Sequence, residues 1–412
     1  MKRYTYVILS CSVAAVAAVE GIRSRDREGS ILVVGEEPCK AYGRPLISYY
    51  LLGETDLAHM DYRPERFYEE SDVALRLGVR AEKIDPAQKA VTLAGGEQIG
   101  YEKLLVATGS RPFEPPMEGI ETVKKRFSFM TLADALSLEK ALSPAKRVLI
   151  VGAGLIGLKC LEGIAARVKS AAIVDMADRI LPSVLDHTAA KMVQKVLEAH
   201  GAEFYLSDSV EKFDGNTACL KSGKAVPFDI LVTAVGVRPN AELVKEAGGT
   251  VRRGIAADAG GRTSLPDVFA AGDCAESFDA VGRENKVVAL LPNANMQGRI
   301  AGINMAGGKA ELTNAVAFNS VGFFGTSVMT AGVYEGEAYT ERTERTYKAL
   351  FCKDGFLNGF ILVGLPERAG IYLKLLRERI PLAEVDFAAL KTSPAWSAFS
   401  PAVRKQNFAA EV

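Results

Sequence analysis

Histidine is nearly absent from this sequence: His59, His187 and His200 are the only three in 412 residues, which leaves little material for imidazole chemistry. Trp396 is the single tryptophan. Neither charge is in excess, since 50 basic residues balance 50 acidic ones, and this argues against a protein that works by coating nucleic acid. The six cysteines, at 11, 39, 160, 219, 274 and 352, are never closer than 28 positions. No CxxC, no CxxxxC and no zinc spacing can be built from neighbours along the chain. Each reads as a small buried thiol in a reduced, cytoplasmic setting. No stretch reaches roughly 18 uninterrupted apolar residues, so no membrane span is expected.

What the chain does have is bulk and glycine. Its length suggests two or three domains, and 48% hydrophobic content with mean hydropathy +0.09 is enough to build large cores. The 38 glycines fall in short spaced groups. The N-terminus has two readings. Met1-Lys-Arg followed by apolar Val7 to Val19 resembles a signal peptide, and the same residues also read as strand, turn and helix opening a nucleotide-binding fold. An internal repeat favours the second. LSCSVAAVAAVEGI (9–22) aligns without gaps on VGAGLIGLKCLEGI (151–164), placing Ser10, Ser12 and Ala15 on Gly152, Gly154 and Gly157. A strand, Ser30 to Val34, and an acidic pair, Glu36-Glu37, follow at the distance such a unit requires.

The stronger copy covers residues 147–182. Arg147 to Val151 reads as a buried parallel strand and Leu155 to Ala166 as the following helix. Gly152 permits the tight turn, Gly154 lets a pyrophosphate approach the backbone, and Gly157 allows close packing of helix on strand. The phosphates then meet free N–H groups at a helix N-terminus. Asp175, just past Val174, suits the hydroxyls of an adenosine ribose and favours NAD over NADP, with Arg179 near enough to soften that preference. In the N-terminal copy the glycines are lost. Ser10 brings a β-carbon to the first turn position, where it strains the backbone or crowds a phosphate. The readings are a tolerated variant in an intact site, or a weakened or vacant nucleotide site.

Other parts of such a site are spread along the chain. Leu104 to Gly109 reads as a buried strand ending in the small turn Ala107-Thr108-Gly109, followed by Ser110-Arg111-Pro112. Thr263 to Asp273 carries an apolar strand delivering Gly272 and Asp273 to its C-terminal end. Asn293 to Met305 reads as a helix with small residues on one face, whose N-terminus suits negative charge on a reduced flavin.

The order of a degenerate GxGxxG, ATG, an intact GxGxxG, Ala234-Val-Gly-Val-Arg-Pro-Asn240 and AAGD resembles the two-dinucleotide flavoproteins that include the pyridine nucleotide–disulfide oxidoreductases. Tyr42 to Leu51 and Pro366 to Tyr372 look most like NADH:rubredoxin reductases and ferredoxin reductase-like proteins. The resemblance spans residues 5 to about 385. It implies an α/β fold with two Rossmann-like dinucleotide-binding domains, an FAD domain (1–112 and 241–314) with an inserted NAD domain (113–240), and a C-terminal α+β domain and tail (315–412). It also implies FAD and NADH as cofactors. Glu36 would hold the FAD adenosine ribose, Ser10, Ser12 and Ala15 would form the diphosphate turn, and Gly272 and Asp273 would meet the ribityl-diphosphate region. Arg44, Pro45, Ala107, Thr108, Gly109, Arg111 and Asn293 would line the flavin site. Gly152, Gly154, Ile156, Gly157, Asp175 and Gly236 would form the NAD site. The sequence departs from the family pattern at Ser10 and Ala15, at Lys159 (where many relatives carry a Glu close to the nicotinamide), and in lacking a basic residue shortly after Arg44-Pro45.

Disulfide reductases of this group need a cysteine pair on the helix facing the flavin, and none lies between Tyr42 and Gly53. Cys39 precedes that loop and reads as turn packing; Cys11 and Cys274 read as small-volume fillers. The expectation is therefore an NAD(P)H-linked FAD oxidoreductase without a redox disulfide. Hydride would pass from NADH to flavin, and electrons would leave singly to an iron–sulfur or rubredoxin-like protein or subunit. The chain would work in a homo- or hetero-oligomer. An NADH oxidase or peroxidase, and a flavin-poor structural subunit of a redox complex, are the alternatives. The aromatics of the tail, Trp396, Phe399 and Phe408, read as packing back on the chain or as covering a partner surface.

Overall fold

The computed structural model describes the backbone of residues 1–408. The chain divides into two compact units, one of residues 1–46, 55–111 and 237–315, the other of residues 47–54, 112–236 and 316–412. Each carries a sheet with a parallel core opened by one copy of the repeat, so the architecture is α/β with two Rossmann-like units.

In the first unit, apolar Tyr6 to Leu9 fills the buried half of the opening strand (Lys2–Leu9). That strand lies between Ile31–Gly35 and Gln98–Val106, parallel to both. Val73–Leu77 extends the sheet on one side, antiparallel Ala90–Leu93 and Ala81–Asp85 on the other, and Val268–Ala270 adds in parallel to Gln98–Val106. The register decides where function sits. Leu9 pairs with both Val34 and Val106, and Val106 with Ala270, so four strands end side by side. The turns at 10–12, 35–37, 107–109 and 271–273 therefore leave along one carboxyl edge, where open α/β sheets bind ligands.

Two helices cover this sheet with unusually close backbones. The first helix (Val13–Arg23) is all Val and Ala through its first seven residues, and residues 13–19 are buried throughout. It packs on the glycine-faced helix (Leu291–Met305). A β-carbon at Gly298 would stand 2.1 Å from the Ala14 carbonyl oxygen, and one at Gly302 would stand 2.1 Å from that of Ala18. The small-residue face expected for residues 293–305 is the seam that brings these helices together.

The second unit repeats the plan. Its parallel sheet runs Ala202–Leu206, Ser170–Asp175, Arg147–Val151, Ile230–Thr233, Arg126–Phe127. Val151 pairs with Val174 and Thr233, so the turns after residues 151, 175 and 233 again share an edge. The fingerprint helix (Leu155–Ile164) continues as a tighter turn over Ala165–Arg167, where the sequence suggested one helix to Ala166. Residues 316–412 contribute a five-stranded antiparallel sheet and a closing helix (Ala369–Arg377). Of the tail aromatics, Phe399 is buried, Trp396 is half exposed with its ring 5.0 Å from Phe399, and the Phe408 side chain lies outside the described residues. Among the described residues no helix is long and apolar enough to cross a membrane.

Candidate cofactor-binding sites

The intact glycine turn can be read atom by atom. Gly152 has φ 114°, a left-handed conformation that L side chains rarely adopt, and a β-carbon there would stand 2.3 Å from the Ala234 carbonyl oxygen. A β-carbon at Gly157 would stand 2.1 Å from the Gly152 oxygen, so this glycine sets how closely the helix follows the strand. At Gly154 nothing lies within 4 Å of such an atom. Two glycines thus serve the backbone and the middle one faces open space, the arrangement a diphosphate needs. Ile156 is half-buried on the same helix. Gly236, with φ 117° and open space before it, lies just beyond Thr233 on the shared edge.

Asp175 does more than the sequence indicated. One carboxylate oxygen accepts from the Ala153 N–H at 2.6 Å, inside the glycine turn, and the other from the Ala177 N–H at 2.8 Å. The acid fixes the turn, and each oxygen keeps a lone pair for a ribose hydroxyl. Arg179 donates to Asp178 at 2.8 Å and to the Leu185 carbonyl at 3.2 Å, so its own neighbours engage it.

The degenerate turn in the first unit follows the same path. Ser10 has φ 106° and donates its N–H to the Val34 carbonyl at 2.6 Å, as Gly152 does to Val174 at 2.9 Å. The strain anticipated from its β-carbon is present in the backbone. Ser12 occupies the N-cap of the first helix as Gly154 does that of the fingerprint helix. Ala15 is buried at the Gly157 position.

The remaining turns are tied to one another. The Thr108 hydroxyl donates to the Asn240 carbonyl at 2.7 Å, and the Asn240 amide donates back to the Thr108 carbonyl at 2.9 Å. Arg111 holds Asn240 at 2.8 Å and Glu242 at 2.7 Å, which makes it a structural anchor of this edge. Ala107 is buried and Gly109 faces open space. A β-carbon at Gly272 would lie 3.4 Å from that of Ala14 and 3.7 Å from that of Ala294, so the Gly272-Asp273 turn sits where both helices begin. Burial pushes the Asp273 carboxyl above the usual range, the Arg44 charge opposes this, and the Ser110 hydroxyl approaches at 3.5 Å. Arg44 pairs with Glu37 at 2.7 Å, and Glu37 also accepts from the Tyr42 hydroxyl at 2.8 Å. Glu36 is exposed at the strand end, and Pro45 is exposed in the turn before residue 46.

On the glycine-faced helix, Asn293 is 2% exposed and its Oδ1 has no partner among the described residues; Gln297, 6% exposed, leaves its Nε2 equally unpaired while its Oε1 accepts the Gly272 N–H at 2.6 Å. Orphaned amides this deeply buried are costly unless something else meets them. With the Asp273 carboxyl they fit a ligand bearing both donors and acceptors, as the ring and ribityl chain of FAD do. Gln297 was not singled out in the sequence, although it lies inside the NANMQGRIAGINM helix.

The repeat aligns Glu20 on Glu162, and the structure shows what each glutamate binds. Glu20 accepts from Arg63 at 2.7 Å. Its counterpart Glu162, 5% exposed, pairs with Lys159 and accepts the Phe324 N–H at 2.6 Å. Lys159 lies over the Tyr49 ring at 4.5 Å and donates to the Gly322 carbonyl. The basic residue at this family position is therefore neutralised within its own helix. Burial pushes the Cys11, Cys39 and Cys274 thiols upward, away from reactive thiolates.

Two parallel sheets, each ending in a dinucleotide turn with its acid, define a two-dinucleotide oxidoreductase. The chain belongs to the pyridine nucleotide-disulphide oxidoreductase family, which it matches over residues 4–298. It is an NAD(P)H-linked FAD oxidoreductase with FAD and NAD(H) as cofactors. It is 31% identical over 391 residues to the NADH-dependent phenylglyoxylate dehydrogenase subunit epsilon of Aromatoleum evansii, covering 92% of each chain. It is 32% identical over 319 residues to an NADH oxidase of Methanocaldococcus jannaschii, covering 74% of this chain and 70% of that one. The solved covalent putidaredoxin reductase–putidaredoxin complex shares the fold at 22% identity and TM-score 0.87, over 95% of this chain and 97% of the other.

Proposed function

We propose that the chain is the NADH-oxidising FAD subunit of a larger redox assembly, passing electrons to an iron–sulfur or rubredoxin-like centre on another chain. The observation that carries this reading is the pair of dinucleotide edges combined with thiols that burial keeps protonated. Electrons entering from NADH then have no acceptor among the cysteines beside the first edge. Bound FAD supplies the chemistry, taking two electrons as hydride and releasing them one at a time. The residues do the holding. Gly152, Gly154, Gly157, Ile156, Asp175 and Gly236 would seat the nicotinamide dinucleotide. Ser10, Ser12, Ala15, Glu36, Gly272, Asp273 and Asn293 would seat FAD, with Arg44, Pro45 and the Ala107–Gly109 turn beside it.

The cysteines are never closer than 28 positions along the chain, so no neighbouring pair has the spacing of an iron–sulfur site, and on this reading the one-electron centre lies on a partner. A full-length relative that is itself a subunit supports the assembly. The FAD-loaded chain, given NADH anaerobically, should reduce a rubredoxin or ferredoxin faster than it reduces dioxygen when air is admitted. Rapid dioxygen or peroxide reduction with no protein acceptor reduced would favour the oxidase reading, to which one relative also points.

A further inference from the structure

We infer that the first unit carries a second small-molecule site, a cavity beside the middle of the glycine-faced helix that takes a single neutral heteroaromatic base with an amino donor next to a ring acceptor.

The cavity encloses about 310 Å³, at the scale of small-ligand sites. Gln297 and Ile300 of the helix, Ala270 of the last parallel strand, Glu276, Phe278 and Leu312 line it. All lie within residues 237–315, inside one unit. Gln297 and Ile300 stand about one and two turns past Asn293, and Ala270 precedes the turn at 271–273. The cavity is thus set back from the carboxyl edge where the dinucleotide turns meet.

Two buried polar groups in its wall have atoms to spare. Glu276 is 4% exposed. Its Oε1 accepts from the Arg253 N–H at 3.0 Å and the Gly254 N–H at 3.3 Å, while Oε2 accepts no hydrogen bond from any described residue. The exposed Arg252 guanidinium reaches Oε2 at 3.4 Å as an ion pair outside hydrogen-bond geometry, which offsets part of the charge and leaves the lone pairs open. Gln297 is the second group. Its Oε1 is committed to the Gly272 N–H, and its unpartnered Nε2 carries two hydrogens, one for the flavin side and one for the cavity. A buried carboxylate oxygen without a hydrogen bond is costly, and whatever relieves it must bring a donor.

The rest of the wall selects the ligand. Phe278, a large apolar side chain left 37% exposed, offers a ring for stacking, and Ile300, Leu312 and Ala270 add apolar surface. Among the described residues no lysine, arginine or histidine lines the cavity, so a phosphate would find no counter-charge there. A carboxylate accepting from an exocyclic amine, an amide donating to the adjacent ring nitrogen and an aromatic face are the means by which proteins hold an unpaired base.

The test titrates 9-methyladenine, whose amino group is its only N–H donor, into the full-length chain loaded with FAD and saturated with NAD⁺, so that both dinucleotide sites are filled. Equilibrium dialysis should show a single equivalent bound per chain. The derivative methylated twice on that amino group keeps the ring and loses the donor, and it should bind about ten-fold more weakly. Glu276→Gln keeps an oxygen for the Arg253 and Gly254 N–H groups and turns the open acceptor into a donor, whereas Phe278→Ala removes the stacking face. Each should raise the 9-methyladenine dissociation constant about ten-fold or more, with FAD and NADH affinity at wild type. Phe278 is partly exposed, so its variant stays informative if Glu276→Gln folds poorly. No binding, binding that both variants leave unchanged, or binding that NAD⁺ abolishes would overturn the inference. FAD uptake, read on the same samples by flavin absorbance, judges the flavin reading separately.

Discussion

Ser10 holds a φ of 106° that its counterpart Gly152 adopts freely. A non-glycine residue so placed costs about 1–3 kcal/mol, and replacing it by glycine returns about 0.5–1 kcal/mol of that to the unfolded chain as entropy. Ser10→Gly should therefore raise unfolding stability by about 1 kcal/mol, read as a higher urea midpoint at unchanged m-value. An unchanged or lower midpoint would show that the turn carries no strain. Asp273 makes a second case. Its carboxyl is pushed up by burial, so the folded, ligand-free protein holds that proton more tightly than the unfolded chain does. Its contribution thus favours folding below the unfolded value near 3.9 and is lost as pH rises through the folded value. Asp273→Asn has no such slope. The flavin-free variant should gain on wild type progressively as pH rises above the unfolded value and through the raised folded one, while its hold on FAD weakens. A pH-independent difference would contradict this. Both residues were visible in the sequence, Ser10 through the repeat and Asp273 through AAGD. The bonds by which Asp175 fixes the turn, accepting from the Ala153 and Ala177 N–H groups, were not, because backbone N–H direction leaves no mark on residue type.

At the scale of elements, the seam between the first helix and the glycine-faced helix fixes how closely the two pack over the first sheet. Gly298→Ala would place a β-carbon 2.1 Å from a carbonyl oxygen, and two backbones must separate to admit it. Overpacking of this kind costs about 3 kcal/mol. Gly154→Ala is the internal contrast, since its β-carbon meets nothing: stability should hold within about 0.5 kcal/mol while NADH affinity falls. Thermal or denaturant melts of both variants check this, and equal losses would contradict it. The elements themselves were largely legible. The gapless repeat marked two strand–turn–helix units, and the small-residue pattern of 293–305 marked its seam. Placement of residues 47–54 and of the chain from 316 onward in one unit with 112–236 was not, since it depends on contacts remote in sequence. The Lys159–Glu162 pair was half legible: the unusual lysine and the repeated glutamate both stand in the sequence, and their pairing one helical turn apart shows only in the structure.

For the molecule as a whole, zero net charge gives no long-range steering of a partner of one sign, so recognition of the electron acceptor falls to local surface. Composition and motif order were sufficient to read an FAD- and NAD-linked oxidoreductase, because each cofactor imposes glycines and acids at fixed offsets. The acceptor imposes no such pattern and stayed open. NADH should deliver its electrons to a flavin held by this chain. The most direct measurement is the absorbance spectrum of the FAD-loaded, full-length protein during anaerobic titration with NADH. The oxidised-flavin bands should bleach stoichiometrically with added NADH and return when a rubredoxin or ferredoxin is supplied. A chain that stays colourless after incubation with FAD, or bound flavin that NADH does not bleach, would contradict it.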